Sequence, residues 1–399
     1  MSGLGGAGAF SDGKFNFTTE FGGWLTDYID PKEVTDLIEY VDQINIKFGA
    51  TLERFSTDTK EAQDLKKKAL EYDLHLLQAQ CKHLGTENNL RILTNMYNYL
   101  NSRVEFKFDT EVLSIKQNKN FWSIKTKKES YDGKIIIVAP GRSGAEWFSN
   151  ICKDLNIETL NNQVDIGVRV ELPALVFKHI TDVVYESKLT YRTKKYGDSI
   201  RTFCMNPYGQ VVTENTDNII TVNGHSYSDP ILQSDNTNFA LLVSSHFTKP
   251  FNEPYQYGKH IAALSNMLGG GVIVQRYGDL INGRRTTEHR LSNSTVRPTL
   301  TATPGDLSLV IPKRQLDDIL EMLQALNKLA PGTTNDDTLL YGVETKFYSG
   351  RIKLDSNLET DRPNLFAIGD GAGITRGLAQ AGASGIKVAR SIYTKLKKV

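Results

Sequence analysis

Hydrophobic residues recur every three or four positions across residues 31–49, a spacing that predicts an α-helix with one buried face. Pro31 lies in the first turn of this helix and Gly49 at its end, which are positions where helices favour these residues. Two further helical stretches are predicted at 59–83 and 86–101. Three helices are therefore expected in the first quarter of the chain.

The hydrophobic period then changes from about four to two. Polar and apolar side chains alternate over residues 104–117 and 120–128, which predicts a small antiparallel meander. Residues 135–138 follow as a continuous apolar run, which is typical of a strand buried on both faces of an α/β sheet. Pro140 and Gly141 end this strand, and a helix is expected next.

Residues 164–345 are richer in β-type alternation, and two helices near 254–268 and 315–329 interrupt it. The chain closes with a strand at 365–368, a glycine-rich turn and a long helix. We therefore predict a β-rich α+β domain inserted into a discontinuous α/β domain. The predicted bounds are 1–160 and 346–399 for the discontinuous domain and 161–345 for the insertion.

Composition excludes several classes of protein. The chain has 399 residues and a net charge of +1, so neither nucleic acid nor an acidic membrane is an expected partner. No apolar run is long enough to span a bilayer, and the first residues lack the basic and apolar regions of a signal peptide. Cys81, Cys152 and Cys204 are far apart, without metal-type spacing, which favours a reducing compartment. We expect a cytoplasmic protein without a metal site.

The C-terminal strand ends in the strongest motif of the chain. Gly369-Asp370-Gly371 follows the strand directly, at the edge where ligands bind in open α/β sheets. Glycines at this edge let a ligand approach the backbone. The start of the next helix favours an electronegative ligand group. The Asp370 carboxylate is a hydrogen-bond acceptor suited to sugar or ribityl hydroxyls. A glycine-rich turn that serves packing alone is the alternative. The predicted cofactor contacts are Gly369, Asp370, Gly371, Gly373, Ile374, Thr375, Gly377 and Leu378.

The first residues also contain a glycine pattern. Gly3, Gly5 and Gly8 fit G-x-G-x-x-G, the dinucleotide fingerprint when it follows a strand and opens a helix. Only Met1 and Ser2 precede it, so the required strand is absent from this sequence. A nicotinamide dehydrogenase that uses these glycines directly is therefore a weak hypothesis.

Eight stretches of the sequence carry a resemblance to a known family. They are GGAGAFSDGKF, VDIGVRVELP, IRTFCMNPYGQVVTEN, TVNGHSY, NMLGGGVIVQRYGDL, PTLTATPGDLSLVIP, DTLLYGVETKFYS and AIGDGAGITRGLAQAGASG. From its first residues to nearly its last, the chain resembles the uncharacterised FAD-dependent dehydrogenases of the FAD/NAD(P)-binding superfamily.

The resemblance implies an α/β fold: a Rossmann-like FAD/NAD(P)-binding domain, discontinuous and N-terminally incomplete, with the β-rich insertion. It implies an FAD-dependent oxidoreductase of unknown small-molecule substrate, bound between the insertion and the flavin, with NAD(P)H as a possible electron donor. In such relatives the true fingerprint lies upstream of GGAGAFSDGK. We therefore expect the chain as given to bind FAD weakly or not at all, and an exposed sheet edge to favour self-association.

The resemblance also assigns residues to the cofactor. It places the opening loop on the flavin side, whereas a flexible glycine-rich terminus is the alternative. It places Gly141 and Arg142, which follow the apolar strand at 135–138, near the dinucleotide. An equally good interpretation is that Arg142 only forms an ion pair at the surface. The loop residues assigned to the flavin are Gly5, Gly6, Gly8, Ser11, Asp12 and Lys14.

Three features of the predicted insertion are candidates for substrate chemistry. His225 follows a β run in a turn and is a candidate catalytic acid, although a histidine is more often structural. Cys204 is interpreted as a buried, inert thiol. Clustered arginines suit an anionic substrate or a cofactor phosphate, or form a solvated charged face; they are Arg284, Arg285, Arg290 and Arg297. The rival function is a non-catalytic remnant of a flavoprotein that binds a ligand or a partner.

Overall fold

The structure is a computed structural model. It describes residues 4–10, 13–54, 58–77, 80–84, 86–184, 187–216, 218–227, 230–248, 250–251, 253–346 and 350–397. The chain divides into two compact units: unit 1 comprises 1–56, 79–162 and 349–399, and unit 2 comprises 57–78 and 163–348. The sequence analysis placed residues 57–78 with the first domain, whereas here they belong to unit 2.

Strands and helices are numbered along the chain. The strands are β1 (Lys14–Phe17), β2 (Leu74–Leu77), β3 (Gln80–His83), β4 (Val112–Gln117), β5 (Trp122–Thr126), β6 (Ser130–Gly133), β7 (Ile136–Val138), β8 (Thr159–Leu160), β9 (Val164–Pro173), β10 (Lys188–Arg192), β11 (Ser199–Asn206), β12 (Gln210–Thr216), β13 (Ile219–His225), β14 (Asn236–Ser245), β15 (Ile273–Arg276), β16 (Thr303–Pro304), β17 (Leu339–Lys346), β18 (Arg351–Ile352) and β19 (Leu365–Ala367). The helices are α1 (Pro31–Lys47), α2 (Lys60–Leu70), α3 (Thr86–Asn101), α4 (Ala145–Asp154), α5 (Ala174–Thr181), α6 (Pro254–Gly269), α7 (Tyr277–Ile281), α8 (Glu288–Ser292), α9 (Lys313–Leu329) and α10 (Leu378–Lys397).

Helix α1 of unit 1 confirms the first sequence prediction. Asp30 caps it by accepting hydrogen bonds from the backbone N–H groups of Lys32 (2.9 Å) and Glu33 (3.3 Å). The apolar stripe of the helix is buried and packs against α10, where Gly382 leaves room for the Val41 side chain. The predicted α3 and the closing α10 are likewise present, and the predicted meander forms as β4–β5–β6, but residues 104–111, which the prediction included, are not in a strand.

Strand β7 pairs in parallel with β19, and Ile136 lies opposite Leu365. Ile136 and Val138 are buried, but Ile137 between them is 47% exposed. The prediction that this strand is buried on both faces is therefore wrong at Ile137, although the partner strand β19 is buried at all three of its positions.

The predicted helix 59–83 is correct only in its first half. Helix α2 ends at Leu70, and Asp73 adopts a left-handed conformation with φ of 59°. Strand β2 follows and pairs with β10, which buries Leu74 and Leu76 and ties this segment to unit 2. The helix-like spacing of apolar residues continues past Leu70, but residues 74–77 form a strand because β10, distant in sequence, pairs with them.

Unit 2 is built on an eight-stranded sheet with the order β16-β15-β17-β9-β14-β11-β10-β2. Strand β9 is central, and it approaches β14 so closely that a side chain at Gly167 would overlap the Leu241 carbonyl. The β-rich patterning and the helices predicted near 254–268 and 315–329 are confirmed. Across the part of the chain that the structure describes, no helix is long and apolar enough to cross a membrane.

Candidate functional site

The two parallel strands of unit 1 end in turns of the same shape. Gly141 follows β7 with φ of 66° and ψ of −175°, and Gly369 follows β19 with φ of 74° and ψ of −170°. Each glycine precedes a single 3-10 turn and then helix α4 or α10. Because the strands are parallel neighbours, both turns lie at the carboxyl edge of the sheet, where open α/β folds bind ligands. We call residues 139–144 and 368–375 the turn pair.

Two glycines of the turn pair leave the backbone bare. A Cβ atom built on Gly141 or on Gly369 would meet nothing within 4 Å, so packing does not explain the missing side chains. Their positive φ values also favour glycine. Gly371 differs, because its Cβ would overlap the Gly141 carbonyl oxygen and lie 2.6 Å from Pro140 Cγ. Gly371 therefore lets the two turns pack together. This agrees with the alternative interpretation of the motif, in which its glycines serve packing alone.

Charged groups from both turns meet at this edge. Arg142 Nε donates to Asp370 Oδ2 at 3.1 Å, and the Thr375 hydroxyl donates to Asp370 Oδ1 at 2.7 Å. The Arg142 side chain is 63% exposed and that of Asp370 is 19% exposed. Such an exposed ion pair contributes little to stability. Both groups therefore remain accessible to a ligand, the carboxylate as an acceptor and the guanidinium as a donor.

A segment that the sequence analysis missed fixes the second turn. The Trp24 N–H donates to the Ile374 carbonyl, and the Arg376 N–H donates to the Gly22 carbonyl, each at 2.9 Å. A Cβ on Gly23 would lie 2.7 Å from Thr375 Cα. The paired glycines before Trp24 are the one local sequence signal of this close approach.

Two amide side chains also hold the second turn. Gln380 Oε1 accepts from the Leu25 N–H at 3.3 Å, and its Nε2 donates to the Phe21 carbonyl at 3.2 Å. Asn162 Nδ2 donates to the Gly373 carbonyl at 3.3 Å. Both amides are buried; Asn162 bonds to the turn itself, and Gln380 holds the Phe21–Leu25 segment that bonds to it. No local motif marks either residue.

The opening glycines lie beside the start of α10. A Cβ on Gly8 would be 3.1 Å from Leu378 Cδ2, and the Asn89 amide donates to the Gly8 carbonyl. The structure thus brings together Gly8 and Leu378, which the sequence analysis assigned to the cofactor separately. A Cβ on Gly5 would lie 3.0 Å from Leu93 Cδ1, so Gly5 packs against α3.

The other opening residues have different surroundings. A Cβ on Gly6 would meet nothing within 4 Å, and Lys14 lies at the start of β1, opposite β3. Ser11 and Asp12 are outside the described residues. Gly6 and Gly8 lie within a short 3-10 helix, Gly6–Phe10, and β1 follows it, whereas a dinucleotide fingerprint opens an α-helix.

Cys204 and His225 lie on different strands of unit 2, β11 and β13, and Arg169 packs beside both segments. His225 is the last residue of β13 rather than part of a turn, and its exposed ring lies 4.8 Å from that of Tyr227. Cys204 is half-buried, so the prediction of full burial is wrong; its carbonyl accepts from Arg169 Nη1 at 3.1 Å. Gly224, beside His225, packs against Arg169.

The arginines of unit 2 fall into two environments. Arg284 Nε donates to the buried Asp279 carboxylate at 2.8 Å, and Arg290 approaches the same oxygen at 3.8 Å. Arg297 instead donates to the Ser292 carbonyl at 2.9 Å. Arg285 is exposed.

Comparison with known proteins provides one match that bears on function. Residues 164–347 match the family described as "FAD-dependent protein, C-terminal domain-like". An uncharacterized protein of Clostridium beijerinckii is 26% identical over 98% of this chain and 70% of its own length. The family match supports an FAD-binding flavoprotein family.

Solved structures resemble the chain only loosely. Glycine oxidase from Geobacillus kaustophilus has a TM-score of 0.34 at 10% identity, covering 95% of this chain and 85% of its own. CtdE in complex with FAD has a TM-score of 0.28 at 8% identity, covering 79% of this chain. The chain spans 61% of the length of CtdE. At these TM-scores the resemblance carries no functional argument.

Proposed function

We propose that this chain is an FAD-dependent oxidoreductase, a dehydrogenase that holds FAD weakly at the turn pair of unit 1. The observation that carries the proposal is the open backbone at Gly141 and Gly369, where a Cβ atom would meet no other atom within 4 Å. The family match of residues 164–347 supports FAD as the ligand, since its description names an FAD-dependent protein.

The residues of the turn pair fit a flavin nucleotide. Gly141 and Gly369 leave space for the cofactor to lie against the main chain. Asp370 is an acceptor for ribityl hydroxyls, and Arg142 presents N–H groups and positive charge next to it. Gly8 and Leu378 border the same helix start.

Bound FAD would supply hydride transfer at its isoalloxazine ring, and the protein would supply position and electrostatics. Thr375 and Arg142 hold the Asp370 carboxylate in place before any ligand arrives. The Trp24 N–H donates to the second turn, and the Gln380 side chain holds the segment that contains Trp24. A preformed acceptor reduces the ordering that binding requires.

Flavin titration of the Asp370→Ala variant tests the proposal. The variant loses charge-assisted hydrogen bonds worth roughly 1.5–3 kcal/mol, so FAD affinity should fall by about one to two orders of magnitude. Flavin fluorescence quenching measures the affinity, and Asp361→Ala, an exposed aspartate of the same unit, is the matched control. Equal affinity in all three proteins would show that Asp370 is only a turn residue and that the flavin site lies elsewhere.

A further inference from the structure

Three guanidinium groups of unit 2 converge on one buried carboxylate. Asp279 is fully buried, and its Oδ1 accepts from Arg284 Nε at 2.8 Å, with Arg290 Nε at 3.8 Å. Its Oδ2 accepts from the Thr286 hydroxyl at 2.8 Å and from Arg276 Nη1 at 3.4 Å. The carboxylate therefore organises side chains from both sides of the loop that joins α7 to α8.

The charges in this cluster do not balance. Arg276 is neutralised separately by Asp337, which its Nε reaches at 2.9 Å. Burial alone would raise the pKa of the Asp337 carboxyl, but hydrogen bonds from Thr295 and Arg276 hold that pKa below its usual value. The single charge of Asp279 is then shared by Arg284 and Arg290, so one positive charge remains. Neutralising a buried aspartate requires only one of them.

The surplus charge is accessible and has hydrogen-bonding capacity left. The Arg284 side chain is 51% exposed and that of Arg290 is 36% exposed. Arg284 uses Nε for Asp279, and Arg290 uses Nη1 for the Arg285 carbonyl at 3.1 Å. A guanidinium has five N–H donors in a planar fork, so several donors on each residue remain for a ligand.

Local structure fixes the main chain that carries Arg284 and Arg290 before a ligand binds. The Thr287 hydroxyl accepts from the Arg290 N–H at 3.3 Å and caps α8, which fixes Arg290 in its first turn. Gln275 Nε2 donates to the Arg284 carbonyl at 2.9 Å. Arg285 lies between them in sequence and adds a further exposed positive charge.

We propose that Arg284 and Arg290, organised by Asp279, form with the exposed Arg285 a binding site for the phosphate group of a small molecule. Three arginines against Asp279 and the exposed Glu288 leave one positive charge and several guanidinium N–H donors. A phosphate group offers three strong acceptor oxygens to such donors, whereas a carboxylate ligand offers only two. Arg297 is not part of the site, because it bonds to the Ser292 carbonyl. All residues of the site belong to unit 2, so the inference does not depend on flavin binding.

Titration with inorganic phosphate and with glycerol phosphate tests the site, and acetate at equal ionic strength is the reference anion. Ligand-induced thermal stabilisation and phosphorus NMR measure binding. We expect both phosphates to bind wild type, and affinity to fall at least about tenfold in the Arg284→Gln/Arg290→Gln variant. Arg297→Gln removes the same kind of charge nearby and should leave binding unchanged.

The Arg285→Gln variant separates loss of binding from loss of folding, because it removes a positive charge of the site and leaves the bonds to Asp279 intact. It should retain wild-type melting without phosphate and bind phosphate more weakly. Binding of inorganic phosphate but not of the monoester would restrict the site to the free ion and overturn the proposal, as would equal stabilisation by acetate or equal affinity in every variant. Flavin titrations of the same variants should match wild type, which separates this site from the turn pair.

Discussion

Gly371→Ala adds one methyl group where the two turns of the turn pair meet. The new Cβ would overlap the Gly141 carbonyl oxygen and lie 2.6 Å from Pro140 Cγ. Both obstacles belong to backbone or to a proline ring, so neither can rotate away. Gly371 does not have a positive φ, and the cost therefore comes from overlap alone.

The expected cost is that of overpacking, about 1–3 kcal/mol of unfolding free energy. Gly385→Ala on α10 is the matched control, because its Cβ would be 3.9 Å from Ile368 Cδ1, an ordinary contact. Replacing a helical glycine with alanine stabilises by up to about 1 kcal/mol. The same added atom should thus shift stability in opposite directions at the two positions.

Tryptophan fluorescence during urea unfolding measures this difference selectively. Trp24, Trp122 and Trp147 all belong to unit 1, so their emission follows the unit that contains both substitutions. Gly371→Ala should lower the urea midpoint and weaken FAD binding, whereas Gly385→Ala should do neither. A Gly371→Ala protein with wild-type midpoint and wild-type flavin affinity would refute the close packing of the two turns.

Two further predictions concern titratable groups. Burial, with the neighbouring Asp198 carboxylate, raises the pKa of Asp318 from 3.8 to about 6; the folded state therefore binds more protons than the unfolded state between about pH 4 and 6, and it loses stability as the pH rises through that window. Asp318→Asn should remove this loss and stabilise the chain at pH 8, and urea midpoints that differ from wild type equally at pH 4 and pH 8 would contradict it. Burial raises the pKa of Cys152 to about 12, so iodoacetamide should modify the half-buried Cys81 and Cys204 in the native chain while leaving Cys152 unmodified by mass spectrometry.

Local signals in the sequence predicted much of unit 1 and of the sheet in unit 2. Helix α1 has its proline, its cap and a regular apolar stripe within one segment, and the strand before Gly369 has its turn directly after it. Such features depend on neighbouring residues, so periodicity and turn chemistry identify them. The fold class and the position of the candidate site followed from them.

Contacts between distant segments explain what the sequence did not predict. Residues 74–77 form a strand because β10 pairs with them, although their own pattern continued a helix. The similarity of the turns at Gly141 and Gly369 becomes significant only because β7 and β19 are adjacent. The role of Gly371 in packing, and the hold of Gln380 on the Phe21–Leu25 segment, likewise depend on residues far away in sequence.

Hydrogen–deuterium exchange with and without FAD tests the central claim most directly, because it locates the flavin on the chain. We expect added FAD to slow backbone amide exchange in the turn pair, residues 139–144 and 368–375, and at the start of α10. Asp370→Ala at the same FAD concentration should lose that protection. Protection confined to other segments, or unchanged exchange in the turn pair at a concentration of FAD that saturates the protein, would contradict the assignment of the flavin site.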